Sequence, residues 1–214
     1  MRSNTRLLLV GLAASILLAA AASSVSANKL SLRSRTPTFR VVWEPLEFSN
    51  TATATIVRCP VTLEGSFHSG TFEKVRGALI GHVTRAAVTV ANCMNGQVSI
   101  PQETLPWPIL YGAFTGDLPA IETLIFLVTR ATFLITIGTA TCRSATEATH
   151  PARLIFTVRE SLKLIRVRAD ETAQIPLTNG PGGIGCELAR GMLAGTTETI
   201  GELTTGTQLS IKLI

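Results

Sequence analysis

The stretch that decides the fold class is residues 121–137, IETLIFLVTRATFLITI, the one run after the N-terminus that is apolar enough to suggest a membrane helix. A spanning helix would place Arg130 near the middle of the bilayer, which costs about 3 kcal/mol. The run is also rich in Thr, Ile, Val and Phe, which favour β-strands. We therefore predict two strands with a turn around Thr129 and Arg130, and no transmembrane helix.

Short β-favouring runs, separated by Gly, Pro and Asn, continue through the rest of the chain. LKLIRVR at 162–168 and LSIKL at 209–213 alternate apolar and polar residues, as half-buried strands do. Pro60 indicates an edge or a bulge beside Cys59. Further candidate strands are 39–44, 54–63, 82–92, 152–158, 173–177 and 208–213.

Helix signals are weak. Residues 71–79 and 187–193 place apolar side chains at helical spacing, but Gly77 and Gly191 weaken these two candidate helices. Strands without βαβ alternation predict an all-β domain. We expect an antiparallel β-sandwich or barrel-like domain of about 8–12 strands, with at most one or two short helices.

The N-terminus has the three parts of a secretory signal peptide. Arg2 and Arg6 precede an apolar core at 7–22, and the small residues Val25-Ser26-Ala27 follow it. We predict a signal peptide at 1–27, with the alanines at 20–22 as an earlier cleavage alternative. The apolar core is slightly short for a spanning helix.

The rest of the chain is predicted to be an N-terminal leader at 28–38 and a single β-rich extracellular domain at 39–214. The 214 residues carry a net charge of +5, and removal of 1–27 leaves 17 basic and 14 acidic residues. Basic residues gather only loosely, at 33–40 and 159–168. Nucleic-acid binding requires a denser basic stripe with interleaved aromatic residues, so we expect no nucleic-acid partner.

The four cysteines are Cys59, Cys93, Cys142 and Cys186, and their spacing excludes a CxxC motif for zinc or redox exchange. An even number in an exported chain predicts two disulfides. Three pairings are possible. We favour Cys59–Cys93 and Cys142–Cys186, because each would close one half of the chain.

The groups of the common catalytic and metal sites are sparse. The histidines are His68, His82 and His150, and no GxSxG or HExxH motif occurs. Ser66 and His68 would share one face of a strand, but a triad also needs an acid that orients the base. His68 and His82 are only a possible distant metal-binding pair. We predict no catalytic residue, no metal site and no cofactor.

Two further patterns resemble functional motifs. Residues 180–185, GPGGIG, match GxGxxG, but their late position in a β-rich chain and the proline predict a glycine-rich turn. Glu44 with Glu47, or Glu64 with Glu73, could form the facing carboxylates of a glycosidase. Nothing in the spacing distinguishes either pair, so we expect solvated side chains.

The most distinctive stretch is residues 105–119, LPWPILYGAFTGDLP, which contains one of the two tryptophans, Trp107, and the only tyrosine, Tyr111. Exposed aromatic rings on a rigid β scaffold stack against sugars or anchor a protein partner. Trp107 and Tyr111 are therefore the predicted ligand-binding residues.

Several motifs together resemble those of secreted β-rich proteins of actinobacteria, over about half of the chain. They are the signal peptide, CPVTLEGSF at 59–67, LIG at 79–81, Cys93, LPW at 105–107, FTGDLP at 114–119 and Cys142. The resemblance implies a β-rich exported domain. It carries no characterised activity, so it assigns no functional residue.

These patterns favour a secreted, non-catalytic β-domain with a binding or structural role at the cell exterior. Its expected partner is a cell-wall polysaccharide or another exported protein. The alternative is a secreted hydrolase with an unrecognised active site, and a third hypothesis is a membrane-inserting β-protein.

Overall fold

The computed structural model describes residues 29–33, 37–51, 54–116, 121–158, 164–170, 174–181, 186, 190–207 and 209–213. The predicted signal peptide at 1–27 lies outside these residues. Within the predicted leader, Lys29–Arg33 forms a strand.

The described chain is all-β, as predicted, and it contains sixteen strands and two short 3₁₀ helices, Val90–Asn92 and Gln102–Thr104. The strands are β1 Lys29–Arg33, β2 Thr38–Asn50, β3 Thr55–Phe67, β4 Thr71–Glu73, β5 Leu79–Val88, β6 Gln97–Ser99, β7 Trp107–Thr115, β8 Thr123–Val128, β9 Thr132–Ile137, β10 Ala140–Ala145, β11 Ala152–Val158, β12 Leu164–Ala169, β13 Ile175–Asn179, β14 Arg190–Thr197, β15 Ile200–Gly201 and β16 Ser210–Leu213.

Eight of these strands close into an antiparallel barrel in the order β2-β3-β5-β7-β8-β11-β12-β14. The ring closes because β14 pairs back onto β2, with Gly191 opposite Asn50 and Ala194 opposite Glu47. Of the two predicted architectures, the chain therefore adopts the barrel. Closure leaves no exposed strand edge within the ring.

The other strands lie outside the ring. β13, β10, β9 and β6 continue the sheet from β14 and form a flank, and β15 pairs with β2. β16, β1 and β4 form a separate three-stranded antiparallel sheet. Phe133 of the flank packs edge-on against Trp107 and Phe48 of the barrel, so the flank shares the barrel's core.

Residues 121–137 form two strands, as predicted, with Arg130 in a left-handed conformation (φ 64°) at the turn. The two strands do not pair with each other: Thr123–Val128 belongs to the barrel and Thr132–Ile137 to the flank. The run therefore carries the chain from one part of the sheet to the other. In the described part of the chain, no helix has the length and apolarity needed to cross a bilayer.

The barrel interior is filled by side chains. Trp43, Trp107, Phe48 and Phe126 are among its largest fully buried side chains, and Phe126 contacts Phe156 with ring centroids 4.8 Å apart. Two interior cavities measure about 20 and 10 Å³. Neither exceeds the space of about one water molecule, so neither is a ligand chamber.

Both helix predictions are wrong where the chain is described, and residues 187–189 of the second candidate lie outside the described residues. Residues 71–79 contain the short strand β4, a turn at Gly77 (φ 84°) and the start of β5, and Val75 and Leu79 are 58% and 48% exposed rather than packed on a core. The second candidate overlaps β14, in which a Cβ added to Gly191 would lie 2.9 Å from Leu177 Cδ2. Close packing of strands, not helix formation, explains this glycine.

The prediction of a bulge beside Cys59 is confirmed. Trp43 of β2 pairs with Val61, whereas Leu46 pairs with Cys59, so β2 carries one extra residue opposite Pro60. Such a bulge bends the strand locally and increases its twist.

Both disulfides pair as predicted. Cys59–Cys93 ties β3 to the segment that follows Val90–Asn92, and Cys142–Cys186 ties β10 to the segment after β13. Two formed disulfides indicate an oxidising compartment.

Candidate functional site

The two predicted ligand-binding aromatics lie in the barrel core. Trp107 is 0% exposed and Tyr111 is 3% exposed, because alternate residues of β7 face inward. The Trp107 Nε1–H group donates a hydrogen bond to Thr104 Oγ1 at 3.0 Å, and its ring packs on Phe133. A stacking platform requires rings open to solvent, so the prediction is corrected: both rings are structural here.

A groove of about 560 Å³ instead lies on the outer face of the same strands. Its floor is formed by Gly112 and Ala113 of β7 and by Ile125 and Leu127 of β8. We call this the exterior groove. Its volume lies within the range of small-ligand sites in proteins, about 300–1,000 Å³.

The apolar floor follows from the sequence TLIFLV of β8. Leu124, Phe126 and Val128 face the barrel core, which leaves Ile125 and Leu127 on the outer face. In the sequence, a strand that is apolar on both faces is a continuous apolar run, rather than an alternation of apolar and polar residues.

Gly112 shapes the floor through a bulge. Tyr111 pairs with Phe126 and Ala113 pairs with Ile125, so Gly112 is an extra residue on β7. A Cβ at this position would lie 2.8 Å from the Ile125 carbonyl oxygen. Glycine therefore permits the close approach of the two strands at the floor.

Arg76 forms one wall of the groove, in a turn between β4 and β5. The Ala78 N–H group donates to the Val75 carbonyl oxygen at 2.9 Å, and Gly77 has φ 84°, as in a type II turn. Gly77 N–H donates to Tyr111 O, and Tyr111 N–H donates to Ala78 O, both at 2.8 Å. These bonds fix the turn to β7. The exposed Arg76 side chain has no ion-pair partner among the described residues.

The opposite wall contains Arg153 on β11, directly opposite Leu127 in the strand register. Arg153 Nη1 lies 2.8 Å from Asp170 Oδ2, and Asp170 is buried. His150 also lines this wall, and its Nδ1 lies 3.0 Å from Thr149 Oγ1. Pro151 and Gln174 complete the wall.

The groove is therefore aliphatic at its floor and cationic at its walls. Asp170 offsets the charge of Arg153, whereas the charge of Arg76 is not offset by a described side chain. The described lining holds one imidazole and no carboxylate, so it lacks the paired groups of acid–base catalysis. This arrangement is suited to binding an anionic group beside an apolar one.

A second cluster joins two predicted residues. His68, just after β3, and His82 on β5 lie with Nε2 and Nδ1 2.9 Å apart, although the sequence suggests only a distant pair. Burial and the neighbouring His68 lower the pKa of His82 below its ordinary value of 6.5. Ser66 lies opposite His82 in the β3–β5 register.

One glutamate of each suggested pair has a cationic partner. Glu64 is buried and contacts Arg40 and Arg85, and Glu47 Oε1 lies 2.6 Å from Arg58 Nε. In the glycine-rich motif, residues 180 and 181 follow β13, and 182–185 lie outside the described residues. No group of three or more His, Cys, Asp or Glu side chains that could hold a metal occurs in the described parts of the chain.

Comparisons with protein-family models, curated proteins and solved structures find no match for this chain. Function is therefore inferred from the chemistry of the groove. Sequence reasoning missed Arg76 and Arg153, but two local signals point toward the groove. The Arg76-Gly77 pair is typical of a type II turn, and TLIFLV indicates a strand that is apolar on both faces.

Proposed function

We propose that this chain is an exported, non-catalytic binding domain, and that its exterior groove binds an extended acidic segment of another exported protein. The observation that carries the proposal is the position of Arg76 and Arg153 on opposite sides of an aliphatic floor. The signal-peptide pattern, the resemblance to secreted actinobacterial proteins and the two disulfides support export from a bacterial cell.

An extended peptide suits this groove because its successive side chains point in opposite directions. Aliphatic side chains of the peptide would cover Ile125, which is half-buried, beside Leu127, which is already buried. Burial of apolar surface contributes about 25 cal/mol per Å². Acidic side chains would reach the Arg76 guanidinium, which donates charge-assisted hydrogen bonds to a carboxylate. Arg153 already contacts Asp170, so it adds a smaller attraction on the other side.

A peptide fits the lining better than a polysaccharide does. Sugar rings are held by stacking on aromatic side chains, and the described lining contains no Phe, Tyr or Trp. Trp107 and Tyr111 are buried on the other side of β7. The occupant we propose is therefore a protein segment that combines aliphatic and acidic side chains.

The test measures binding of the untagged, oxidised protein to immobilised octapeptides in which Asp or Glu alternates with Leu, Ile or Val. The matched variants are Arg76→Glu and Arg143→Glu, because Arg143 is also exposed, lies on β10 and does not line the groove. We expect Arg76→Glu to weaken binding by about tenfold or more, since it places like charges together. Arg143→Glu should leave the affinity within about twofold.

Equal weakening in the two variants would contradict the proposal, since it would reflect net charge alone. Peptides with Asn and Gln in place of Asp and Glu are the ligand control and should not bind. A parallel co-sedimentation assay with an anionic polysaccharide tests the alternative ligand. Retention on the polysaccharide without peptide binding would overturn the peptide assignment, and absence of both would overturn the binding role of the groove.

A further inference from the structure

The histidine pair lies where β3 ends and β5 begins, and neither histidine lines the exterior groove. His68 follows the last residue of β3, and its backbone N–H donates to Ile80 O at 2.9 Å. His82 is opposite Ser66 on one side and Pro108 on the other. His68 is exposed and His82 is half-buried, so solvent reaches the pair.

The facing nitrogens have the separation of two ligands of one metal ion. His68 Nε2 and His82 Nδ1 are 2.9 Å apart, with ring centroids at 4.8 Å. Two nitrogens bound at about 2.0–2.1 Å are about 2.9 Å apart at a right angle and about 3.3 Å apart at the tetrahedral angle. Small rotations of the two imidazole rings would give the nitrogen–nitrogen separation of either angle.

We propose that His68 Nε2 and His82 Nδ1 bind one divalent transition-metal ion, with the remaining coordination positions open to water or to an external ligand. Neutral imidazole is a common ligand for Cu²⁺, Ni²⁺ and Zn²⁺. The required tautomers carry their protons on His68 Nδ1 and His82 Nε2, which leaves a lone pair on each facing nitrogen. The ion replaces the hydrogen bond between the rings.

The register neighbours of the pair offer no charged ligand. Ser66 and Pro108, the register neighbours of His82, are uncharged. The next row along β2, β3 and β5 contains Arg40, Glu64 and Arg85, in which the carboxylate is already engaged by both cations. No free carboxylate remains in that row, so the ion depends on the two histidines.

The experiment titrates the untagged, oxidised protein, first freed of metal with a chelator, with Cu²⁺ and with Zn²⁺ in a calorimeter. Copper bound at the site should give an electron paramagnetic resonance spectrum with coupling to two nitrogens. The variants are His68→Gln and His82→Gln, and His150→Gln is the matched control, because His150 belongs to the groove wall. Far-ultraviolet circular dichroism checks the fold of each variant.

We expect one ion per chain in the wild type and in His150→Gln, with Cu²⁺ bound more tightly than Zn²⁺. His68→Gln and His82→Gln should each bind the metal at least about tenfold more weakly. The wild-type affinity should fall from pH 7.5 to pH 5.5 because protons compete with the metal for the nitrogens. Failure of the folded wild type to bind stoichiometrically would overturn the proposal, as would unchanged binding in His68→Gln and His82→Gln. Peptide binding in the groove uses other residues, so it can fail or succeed independently.

Discussion

Two outer faces of the same barrel differ in how their charges are satisfied. On the β2–β3–β5 face, Glu64 is only 8% exposed and lies between Arg40 and Arg85, and Glu47 pairs with Arg58. On the β7–β8–β11 face, the outward side chains are mainly aliphatic, and the Arg76 guanidinium has no described partner. The first face satisfies its own charges, whereas the second leaves an apolar surface and a cation for another molecule.

The interior does not distinguish the two faces. Val61 and Leu63 of β3 and Phe126 and Val128 of β8 all belong to one continuous core. The inner residues therefore account for the barrel, and differences in function arise from residues that point outward. Substitutions of inward-facing and outward-facing residues test this difference between the core and the outer faces.

Phe126→Ala should lower the free energy of unfolding by about 3–5 kcal/mol, because it leaves a cavity among buried rings. Its neighbour Ile125, half-buried on the outer face, is the matched control, and Ile125→Ala should cost about 1 kcal/mol. Urea unfolding with both disulfides intact measures the two values. Equal costs would show that the outer face of β8 contributes as much to stability as the core.

Glu64→Gln should lower the free energy of unfolding by about 1–2 kcal/mol, because it weakens charge-assisted bonds to Arg40 and Arg85. The arginines remain accessible to water, which limits the loss. Glu103→Gln, at an exposed position in a 3₁₀ helix, should change stability by less than about 0.5 kcal/mol. If Glu64→Gln leaves the free energy of unfolding unchanged in the same urea experiment, the ion pairs of Glu64 do not contribute to stability.

The pH dependence of stability should contain a smaller contribution from His82. Burial and His68 lower its folded-state pKa below 6.5, so the unfolded chain takes up this proton more readily than the folded one. The contribution is present above pH 6.5 and is lost as pH falls through the folded-state pKa. Urea unfolding at pH 7.5 and pH 5.0 should show a smaller loss for His82→Gln than for the wild type or His150→Gln. An identical loss in all three would contradict this assignment.

Local signals in the sequence predict much of the fold. Residues 121–137 combine β-favouring side chains with a central Arg130, so strands and a turn follow from properties of neighbouring residues. The choice between sandwich and barrel has no such signal. It depends on the pairing of Asn50 with Gly191, which are far apart in the chain, and ring closure of this kind is set by packing of the whole domain.

The site was less accessible to sequence reasoning. Trp107 and Tyr111 are chemically distinctive, but their spacing also places them with Ile109 on one face of β7, and that face points inward. His68 and His82 meet only through the register of β3 and β5, which includes a shift next to Gly65. Such a register depends on backbone pairing across strands and is not visible in the residues themselves.

The central claim is that the β7–β8–β11 face, and not the β2–β3–β5 face, receives an acidic segment of a partner. The most direct measurement is a methyl nuclear magnetic resonance titration of the labelled protein with an octapeptide of alternating Glu and Leu. We predict saturable shifts of the Ile125 and Leu127 methyl groups, with no change at Val42, which is outside the groove on β2. Shifts at Val42 without shifts at Ile125 and Leu127 would contradict the account, as would a titration that moves none of the three.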